Sequence, residues 1–276
     1  MPIRRSIAIP DSAVSDNSDI RSKTEKLFQL SRMAAIFQVQ NILIYHNPLL
    51  TPARANRERR IITRILEYIE CPQYLRKRLF PLSRDTVAVG ILSPLAIPHH
   101  AKTRDLKPNE IREAAIFLNQ NRVVADVGGI ELLEVEGWKK SLKEKTVRVT
   151  VKIIKANGKF KASILANHPI EEYWGYTVSS YQQPLSKVLL NRSEYKIATS
   201  RTCERFSSFR RKLDLKRDLL IAFGGPYSGI PKILKSEGKK TSDVFDTCVN
   251  ILDNYGTRSL RLEEAMMIMF SRLEND

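Results

Sequence analysis

Short apolar runs alternate along this chain with stretches whose apolar residues recur at helical spacing. Ser6 to Ile9 and Asn41 to Tyr45 are runs of the first kind and predict buried strands. Between them, Ser22 to Glu25 has the spacing of a capping box and predicts the start of a helix. The apolar stripe of that helix consists of Leu27, Leu30, Ala34 and Phe37.

The alternation continues through a second helix. Thr51 and Pro52 predict its start, because threonine suits the N-cap and proline suits the first helical position. The apolar stripe of this helix consists of Ile61, Ile62, Ile65, Leu66 and Ile69. Val87 to Leu92 then predicts a third strand. Strands and helices in this order are typical of an α/β fold with a mostly parallel sheet.

The pattern changes between residues 95 and 176. Short β-rich segments are separated there by turn residues such as Gly128-Gly129 and Asn157-Gly158, which predicts a small antiparallel β-barrel. The strand candidates are Val123–Val127, Ile130–Val135, Val147–Ile154 and Phe160–Leu165. We therefore predict that residues 95–176 are a domain inserted into a discontinuous α/β domain of residues 1–94 and 177–276.

The α/β pattern resumes at Leu185 to Leu190. Tyr195 to Thr199 and Leu219 to Phe223 predict strands, and Ile230 to Ser236 predicts a helix. The clearest helical stripe of the chain is Leu262, Ala265, Met266, Met269, Phe270 and Leu273. Met267 widens this apolar face, which therefore requires a partner, either the chain's own core or a second subunit.

Composition adds a charge argument. The chain has 46 Lys and Arg against 30 Asp and Glu, so its net charge is +16 and its pI is near 9.8. This balance favours a polyanion such as nucleic acid as the partner, and a solvated basic surface is the alternative. No apolar run approaches the ~18 residues of a membrane span, and the first residues do not resemble a signal peptide. We expect a soluble cytoplasmic protein with no membrane contact.

Cysteine and histidine do not predict a metal site. Cys71, Cys203 and Cys248 are far apart and odd in number, so we interpret them as buried thiols without a disulfide framework or zinc-ligand spacing. His99 and His100 are interpreted as residues that stabilise a loop. We therefore expect no metal.

The turn after the Leu219 strand is the strongest candidate for chemistry. Gly224 and Gly225 follow a buried run, and glycine permits the backbone to approach a ligand closely. Residues 224–229 do not have the GxGxxG spacing of a dinucleotide site, and the phosphate-binding GxxxxGK[ST] pattern is absent from the sequence. These absences disfavour an oxidoreductase or hydrolase that binds cofactor phosphates.

Three turns, in this order, resemble those of the SPOUT superfamily of α/β-knot RNA methyltransferases. They are Gly90–Pro94, Ile221–Gly229 and Asn250–Ala265. The subgroup with an OB-like barrel inserted between the first two turns also has segments similar to Tyr74–Lys77, Pro98–His100 and Tyr173–Thr177. The likeness covers nearly the whole chain, and its specificity comes from the combination of motifs.

The resemblance implies a trefoil knot, S-adenosylmethionine as cofactor, and a homodimer whose active site lies near the subunit interface. It also implies an RNA substrate, with ribosomal RNA and a uridine base nitrogen, N3, favoured. The alternative function is a catalytically inactive RNA-binding or ribosome-assembly protein that retains the fold.

The site residues are assigned by position within the resemblance. The cofactor candidates are Leu92, Ser93, Pro94, Phe223, Gly224, Gly225, Gly229, Ile251, Asn254, Gly256, Ser259 and Leu260. Arg258 and Arg261, one turn apart at the head of the last helix, are candidates to hold a target phosphate or base carbonyl. Glu264 is the candidate proton acceptor, and its alternative role is to cap that helix.

Basic residues outside these turns are the candidates for RNA contact. The connector from Arg201 to Arg217 also contains Phe206 and Phe209, which either stack on bases or anchor the core. The RNA-binding candidates are Arg4, Arg5, Arg201, Arg205, Arg210 and Arg211.

Overall fold

The chain forms two compact units. The computed structural model describes residues 3–81, 83–138, 145–165, 170–211 and 217–274. The first unit comprises Met1–Glu67, Asp85–Leu92 and Tyr176–Asp276, and the second comprises Tyr68–Arg84 and Ser93–Gly175. Relative to the domain limits predicted from the sequence, residues 68–84 group with the second unit. The predicted limits themselves stay a prediction.

Strands and helices are numbered in chain order. The strands are β1 (Arg5–Pro10), β2 (Val39–His46), β3 (Ile111–Asn119), β4 (Arg122–Asp126), β5 (Leu133–Glu136), β6 (Val147–Ala156), β7 (Lys159–Ile164), β8 (Thr177–Pro184), β9 (Tyr195–Arg205), β10 (Leu219–Ala222) and β11 (Thr247–Asn250). The α-helices are α1 (Ile20–Ile36), α2 (Pro52–Glu70), α3 (Gln73–Leu79), α4 (Leu185–Leu189), α5 (Phe206–Arg210), α6 (Ile230–Ser236) and α7 (Leu262–Glu274). Two 3-10 helices cover Val87–Ile91 and Thr241–Asp243. Within the described ranges, no helix is long and apolar enough to span a membrane.

The first unit is built on a six-stranded sheet in the order β11-β9-β10-β1-β2-β8. Every neighbouring pair in this sheet is parallel, which confirms the predicted mostly parallel sheet. Residues 6–10 of β1 and all of β10 are buried, as expected for central strands covered on both faces. The continuous apolar runs of these strands therefore come from burial on both faces.

Helix α1 begins earlier than its predicted capping box. Asp19 is the N-cap residue, and its carboxylate accepts a hydrogen bond from the Ser22 backbone N–H at 2.9 Å. The prediction of a cap at Ser22 was wrong because an aspartate three residues earlier satisfies the free N–H of the first turn. The start of α2 at Pro52 was predicted correctly.

One strand prediction was also wrong, and one strand was not predicted. Val87–Ile91 is a 3-10 helix, and Val87 is 74% exposed, so an apolar run alone did not decide the backbone conformation. Strand β8 was missed because it lies at the edge of the sheet and consists largely of polar residues. An edge strand has a neighbour on one side only and needs less apolar surface than a central strand.

The second unit contains a closed five-stranded barrel in the order β3-β4-β5-β7-β6. Its pairs are antiparallel except β5 with β7, which is parallel, so the barrel is mixed and not purely antiparallel. Strand β3 was missed by the sequence pattern. Its Ala114 and Ile116 lie in the barrel core with Ala125, Val151 and Ile153.

The apolar face of α7 is covered largely by the chain itself. Met266, Met269 and Phe270 are fully buried, and the Phe270 ring stacks on Phe37 with 5.3 Å between centroids. Met267 is 47% exposed. The chain's own core is therefore the main partner that this face requires.

Two cysteines are not free thiols. Cys203 in β9 and Cys248 in β11 form a disulfide with a Cα–Cα distance of 5.4 Å, which corrects the prediction of buried thiols. The sequence separation of 45 residues hid a pairing that neighbouring strands produce. Cys71 is a buried free thiol, as predicted.

Candidate active site

A cavity of about 590 Å³ opens in the first unit at the carboxyl ends of β9, β10 and β11. Strand β1 continues to β2 on one side of the sheet, whereas β9 and β10 follow on its other side, so the strand order reverses beside β1. Ligands of open parallel sheets bind outside the carboxyl ends of the strands at such a reversal. The volume is also typical of a small-molecule site.

The turn after β10 forms one wall of the cavity. The Gly225 N–H donates to the Ser228 carbonyl at 2.8 Å, and the Tyr45 hydroxyl donates to the Phe223 carbonyl at 2.9 Å. A Cβ at Gly224 would lie 2.7 Å from Gly229 Cα. Glycine is therefore required at position 224, because two parts of the turn approach each other closely. The sequence predicted a close backbone approach at this turn, but to a ligand.

The space into which a side chain of the second glycine would project is occupied by the loop after β1. A Cβ at Gly225 would lie 2.6 Å from the Ser12 Oγ and 3.4 Å from Pro10 Cγ. Ser12 in turn accepts a hydrogen bond from Asn47 Nδ2 at 2.9 Å, and the same amide group approaches Ser228 Oγ at 3.3 Å. A side chain at position 225 would therefore meet the loop after β1, although the Gly225 backbone lines the cavity.

A bulge in β9 forms the second wall. The pairing of β11 jumps from Cys248 opposite Ala198 to Val249 opposite Glu204, so the intervening residues of β9 leave the ladder. Thr199, Ser200 and Arg201 of this segment line the cavity. The disulfide at Cys203 closes the bulge.

The segment between β11 and α7 forms the third wall. Ile251, Ser259, Leu260 and Arg261 line the cavity, whereas the exposed Asn254 and Gly256 do not.

Arg201 connects the second and third walls. Its guanidinium lies 4.5 Å from the centre of the Tyr255 ring and also donates to the Arg258 carbonyl. Arg258 is exposed and does not line the cavity.

The structure differs in two respects from the catalytic set predicted at the last helix, Arg258, Arg261 and Glu264. Helix α7 begins at Leu262, so Arg258 and Arg261 precede it and are not one helical turn apart. The Glu264 carboxylate accepts a hydrogen bond from the Arg261 N–H at 2.8 Å. Glu264 therefore caps α7, which was its alternative role, and Arg261 is the member of this set that lines the cavity.

Three charged residues of the cavity were missed by the sequence analysis: Asp16, Lys26 and Lys232. Lys26 Nζ lies 2.9 and 2.8 Å from the two carboxylate oxygens of Asp16. A signal was available, because residues 11–16 follow β1, and the carboxyl ends of parallel strands meet at one edge of the sheet. Among the residues that the structure describes, four cationic side chains and one carboxylate, that of Asp16, line the cavity.

The first predicted cofactor turn, Leu92 to Pro94, is divided between the two units. Leu92 ends the 3-10 helix in the first unit, and its backbone N–H donates to the Val89 carbonyl. Ser93 and Pro94 belong to the second unit. Pro94 lines a cavity of that unit with Tyr74 and Gly128.

The predicted RNA-binding arginines have varied environments. Arg5 pairs with Glu274 and also donates to the Phe37 carbonyl at 3.0 Å. The Arg4 and Arg205 side chains are exposed, and Arg205 lies 4.0 Å from Asp253.

The basic connector of β9 and α5 is only partly described. Arg211 is exposed and Arg210 is half-buried. Phe206 and Phe209 are buried against each other, so they anchor the core and do not stack on bases. Lys212 and Lys216 lie outside the described residues.

The second unit contains a buried ionic network around Arg148. The Arg148 guanidinium contacts the carboxylates of Glu70 and Glu113, and Trp174 Nε1 donates to Glu113 at 2.7 Å. Burial raises the pKa of Glu70, but hydrogen bonds from His99 and Arg148 outweigh it, so the pKa is lower than usual. This network stabilises the unit only while both carboxyl groups are ionised.

Two adjacent histidines, His99 and His100, also contact Glu70. The Nε2 atoms of His99 and His100 lie 3.1 and 2.8 Å from the Glu70 carbonyl oxygen, so they stabilise a loop, as predicted. Burial lowers the pKa of His100 to about 4. His100 is therefore neutral at physiological pH.

The fold and the cavity define the class of this molecule: an α/β protein with a cavity of small-molecule size at the carboxyl ends of a parallel sheet and a separate β-barrel unit. Residues 4–273 match the family model described as putative RNA methyltransferase. The chain belongs to this family, and the predicted SPOUT-type RNA methyltransferase assignment is confirmed.

Relatives align over nearly the whole chain. It is 29% identical to the 28S rRNA (uridine-N(3))-methyltransferase of Drosophila melanogaster, over 99% of this chain and 62% of that protein. It is also 29% identical to the human protein of that name, over 99% of this chain and 78% of that protein. Putative methyltransferase spot-1 of Caenorhabditis elegans is 27% identical over 99% of this chain and 81% of its own length. The chain thus spans less than two thirds of the fly protein.

Proposed function

We propose that this chain transfers a methyl group from S-adenosylmethionine to N3 of a uridine in ribosomal RNA. Its membership of an RNA methyltransferase family requires a methyl donor and an RNA acceptor. The names of the fly and human relatives support uridine N3 as the acceptor and ribosomal RNA as the substrate. The observation that carries the proposal is the cavity that two of the three predicted cofactor turns line together, the turn after β10 and the segment between β11 and α7.

The residues of the cavity fit S-adenosylmethionine. Phe223, Ile251 and Leu260 supply apolar walls for a flat adenine ring, and the folded glycine turn presents backbone N–H and C=O groups beside them. Neutral adenine edges are bound by such backbone donors and acceptors. When bound, the cofactor supplies an electrophilic methyl group on a cationic sulfur. The turns at Gly224–Gly229 and Ile251–Leu260 would hold it.

The cations of the cavity suit the other substrate. Arg201, Lys232 and Arg261 line it from three different elements and are exposed to solvent. Guanidinium and ammonium groups bind RNA phosphates, and the net charge of +16 attracts RNA over longer distances. We assign Arg261 to substrate positioning, because methyl transfer depends mainly on alignment and electrostatic matching.

Several features belong to the proposal by family likeness. They are a trefoil knot, a homodimer that shares its active sites, RNA contacts by the barrel, and a cytoplasmic location. The exposed Met267 on α7 is consistent with a subunit contact. The inactive RNA-binding alternative is less favoured, because the cavity and its glycine turn are retained.

Cofactor titration and nucleoside analysis test the proposal. We expect saturable S-adenosylmethionine binding by calorimetry and 3-methyluridine in ribosomal RNA incubated with the chain and the cofactor. RNA lacking the reactive uridine, once it is mapped, is the matched control. Tight RNA binding without cofactor uptake or methyl incorporation would establish the inactive alternative. A different methylated nucleoside would refute the acceptor.

A further inference from the structure

Methylation at uridine N3, the proposed function on which this inference rests, requires a proton acceptor. The N3–H bond breaks, its electron pair forms the new N–CH₃ bond, and the C–S bond electrons return to sulfur, which becomes a neutral thioether. The proton released from N3 must be transferred to an acceptor. A side chain that accepts a proton in the transition state contributes typically about 10²- to 10⁴-fold in rate.

The carboxylate predicted for this role is occupied. Glu264 accepts the Arg261 N–H at the start of α7, and it does not line the cavity. Among the described residues that line the cavity, Asp16 has the one carboxylate. It lies in the loop after β1, the same loop whose Ser12 packs against Gly225 of the glycine turn.

Asp16 is accessible and oriented. Its side chain is 30% exposed, whereas that of its partner Lys26 is 6% exposed. Lys26 projects from α1 and reaches both carboxylate oxygens, but each oxygen retains a further lone pair for a proton. The other charged side chains that line the cavity are cations: Arg201 from β9, Lys232 from α6, and Arg261 next to α7.

We propose that Asp16 is the catalytic residue that accepts the N3 proton and that Lys26 is the positioning residue that holds its carboxylate toward the cavity. The cations around the cavity favour the negative charge that develops on the uracil ring as the proton leaves.

The test combines three variants of position 16 and its partner with one control. Asp16→Asn removes the acceptor, Asp16→Glu retains a carboxylate, and Lys26→Met removes the orienting charge. Glu25→Gln removes a solvent-exposed carboxylate of α1 and is the matched control. Circular dichroism and calorimetric titration with S-adenosylmethionine verify folding and cofactor affinity for each variant.

We expect Asp16→Asn to lower kcat/KM at neutral pH by about 100-fold or more, with cofactor affinity retained. Asp16→Glu should retain part of the activity, and Glu25→Gln should equal the wild type. The kcat/KM of Lys26→Met should lie between those of Asp16→Asn and the wild type. The rate of Asp16→Asn should rise steadily with pH, because ionisation of the uridine itself then replaces the lost acceptor. RNA containing 5-fluorouridine, whose N3–H is more acidic, should restore Asp16→Asn more than it accelerates the wild type.

Three results would overturn the assignment. Full activity of Asp16→Asn would remove the carboxylate from the chemistry. Loss of cofactor binding in Asp16→Asn would show that the carboxylate instead pairs with a cationic group of the cofactor. An equal response of wild type and Asp16→Asn to 5-fluorouridine would show that proton removal does not depend on this residue. Failure of the wild type and of Glu25→Gln to methylate uridine N3 refutes the proposed function itself, and is thereby distinguishable from these results.

Discussion

Replacing Gly225 with alanine should destabilise the first unit through one identifiable contact. The added Cβ would lie 2.6 Å from the Ser12 Oγ, well inside van der Waals contact, and Ser12 is 4% exposed and has little space to move. The Gly225 backbone does not have a positive φ, so steric overlap and not backbone strain sets the cost. Inserting a methyl group into such a site typically costs about 1–3 kcal/mol.

A second substitution isolates that contact. Ser12→Ala removes the Oγ and leaves a Cβ 3.6 Å from the new methyl group, an ordinary packing distance. Alone, it forfeits the hydrogen bond from Asn47, worth about 1 kcal/mol. We expect Gly225→Ala to cost about 2 kcal/mol. The double variant should cost about 1 kcal/mol, which gives a coupling energy of about 2 kcal/mol in the favourable direction.

Urea denaturation followed by circular dichroism measures the four free energies of unfolding in the cycle. Hydrogen exchange of the β1 and β10 amides assigns the change to the first unit. Gly90→Ala is the control for stability, because a Cβ there meets no atom within 4 Å. Additive costs for Gly225→Ala and Ser12→Ala would refute the claim that position 225 faces the loop after β1.

Three further predictions concern stability. Reduction of the Cys203–Cys248 disulfide, which closes a separation of 45 residues, should lower the free energy of unfolding by up to about 4 kcal/mol, and Cys203→Ser should abolish the effect of the reductant. Because the pKa of His100 is about 4 in the folded chain and 6.5 in the unfolded chain, the unfolded state binds more protons between these values. Stability should therefore fall by up to about 3 kcal/mol as the pH decreases from 6.5 to 4, and His100→Gln should flatten this part of a pH-dependent melting curve. Tyr45→Phe leaves the Phe223 carbonyl without its 2.9 Å donor and should cost about 1–3 kcal/mol in denaturant titration.

Sequence patterns were sufficient to predict those strands and helices that have local signatures. Central strands such as β1 and β10, and helix α2 with its Thr51-Pro52 start, were predicted because burial on both faces and N-terminal capping have local signatures. Strand β8 was missed because an edge position tolerates polar residues. The disulfide was missed because its cysteines become neighbours only through the pairing of β9 with β11.

The candidate site likewise contains residues that were predicted from the sequence and residues that were not. Glycines 224 and 225 were found because a buried run that ends in two glycines requires close backbone approach. The direction in which Gly225 faces was not predictable, because it depends on Ser12, more than 200 residues earlier in the chain. Asp16 and Lys26 were missed because only the fold brings the loop after β1 and helix α1 to the cavity, although the position of residues 11–16 after a predicted strand was a signal.

Local order of apolar and polar residues thus determined by itself that this chain has a parallel α/β sheet, a separate barrel, a basic character, and glycine turns suited to a cofactor. Only the tertiary structure decided which charged groups share the cavity, that Glu264 caps a helix, and that Asp16 faces the site. The physical reason is that periodicity and capping depend on residues a few positions apart, whereas the chemistry of a site depends on which strand ends meet at one edge of the sheet.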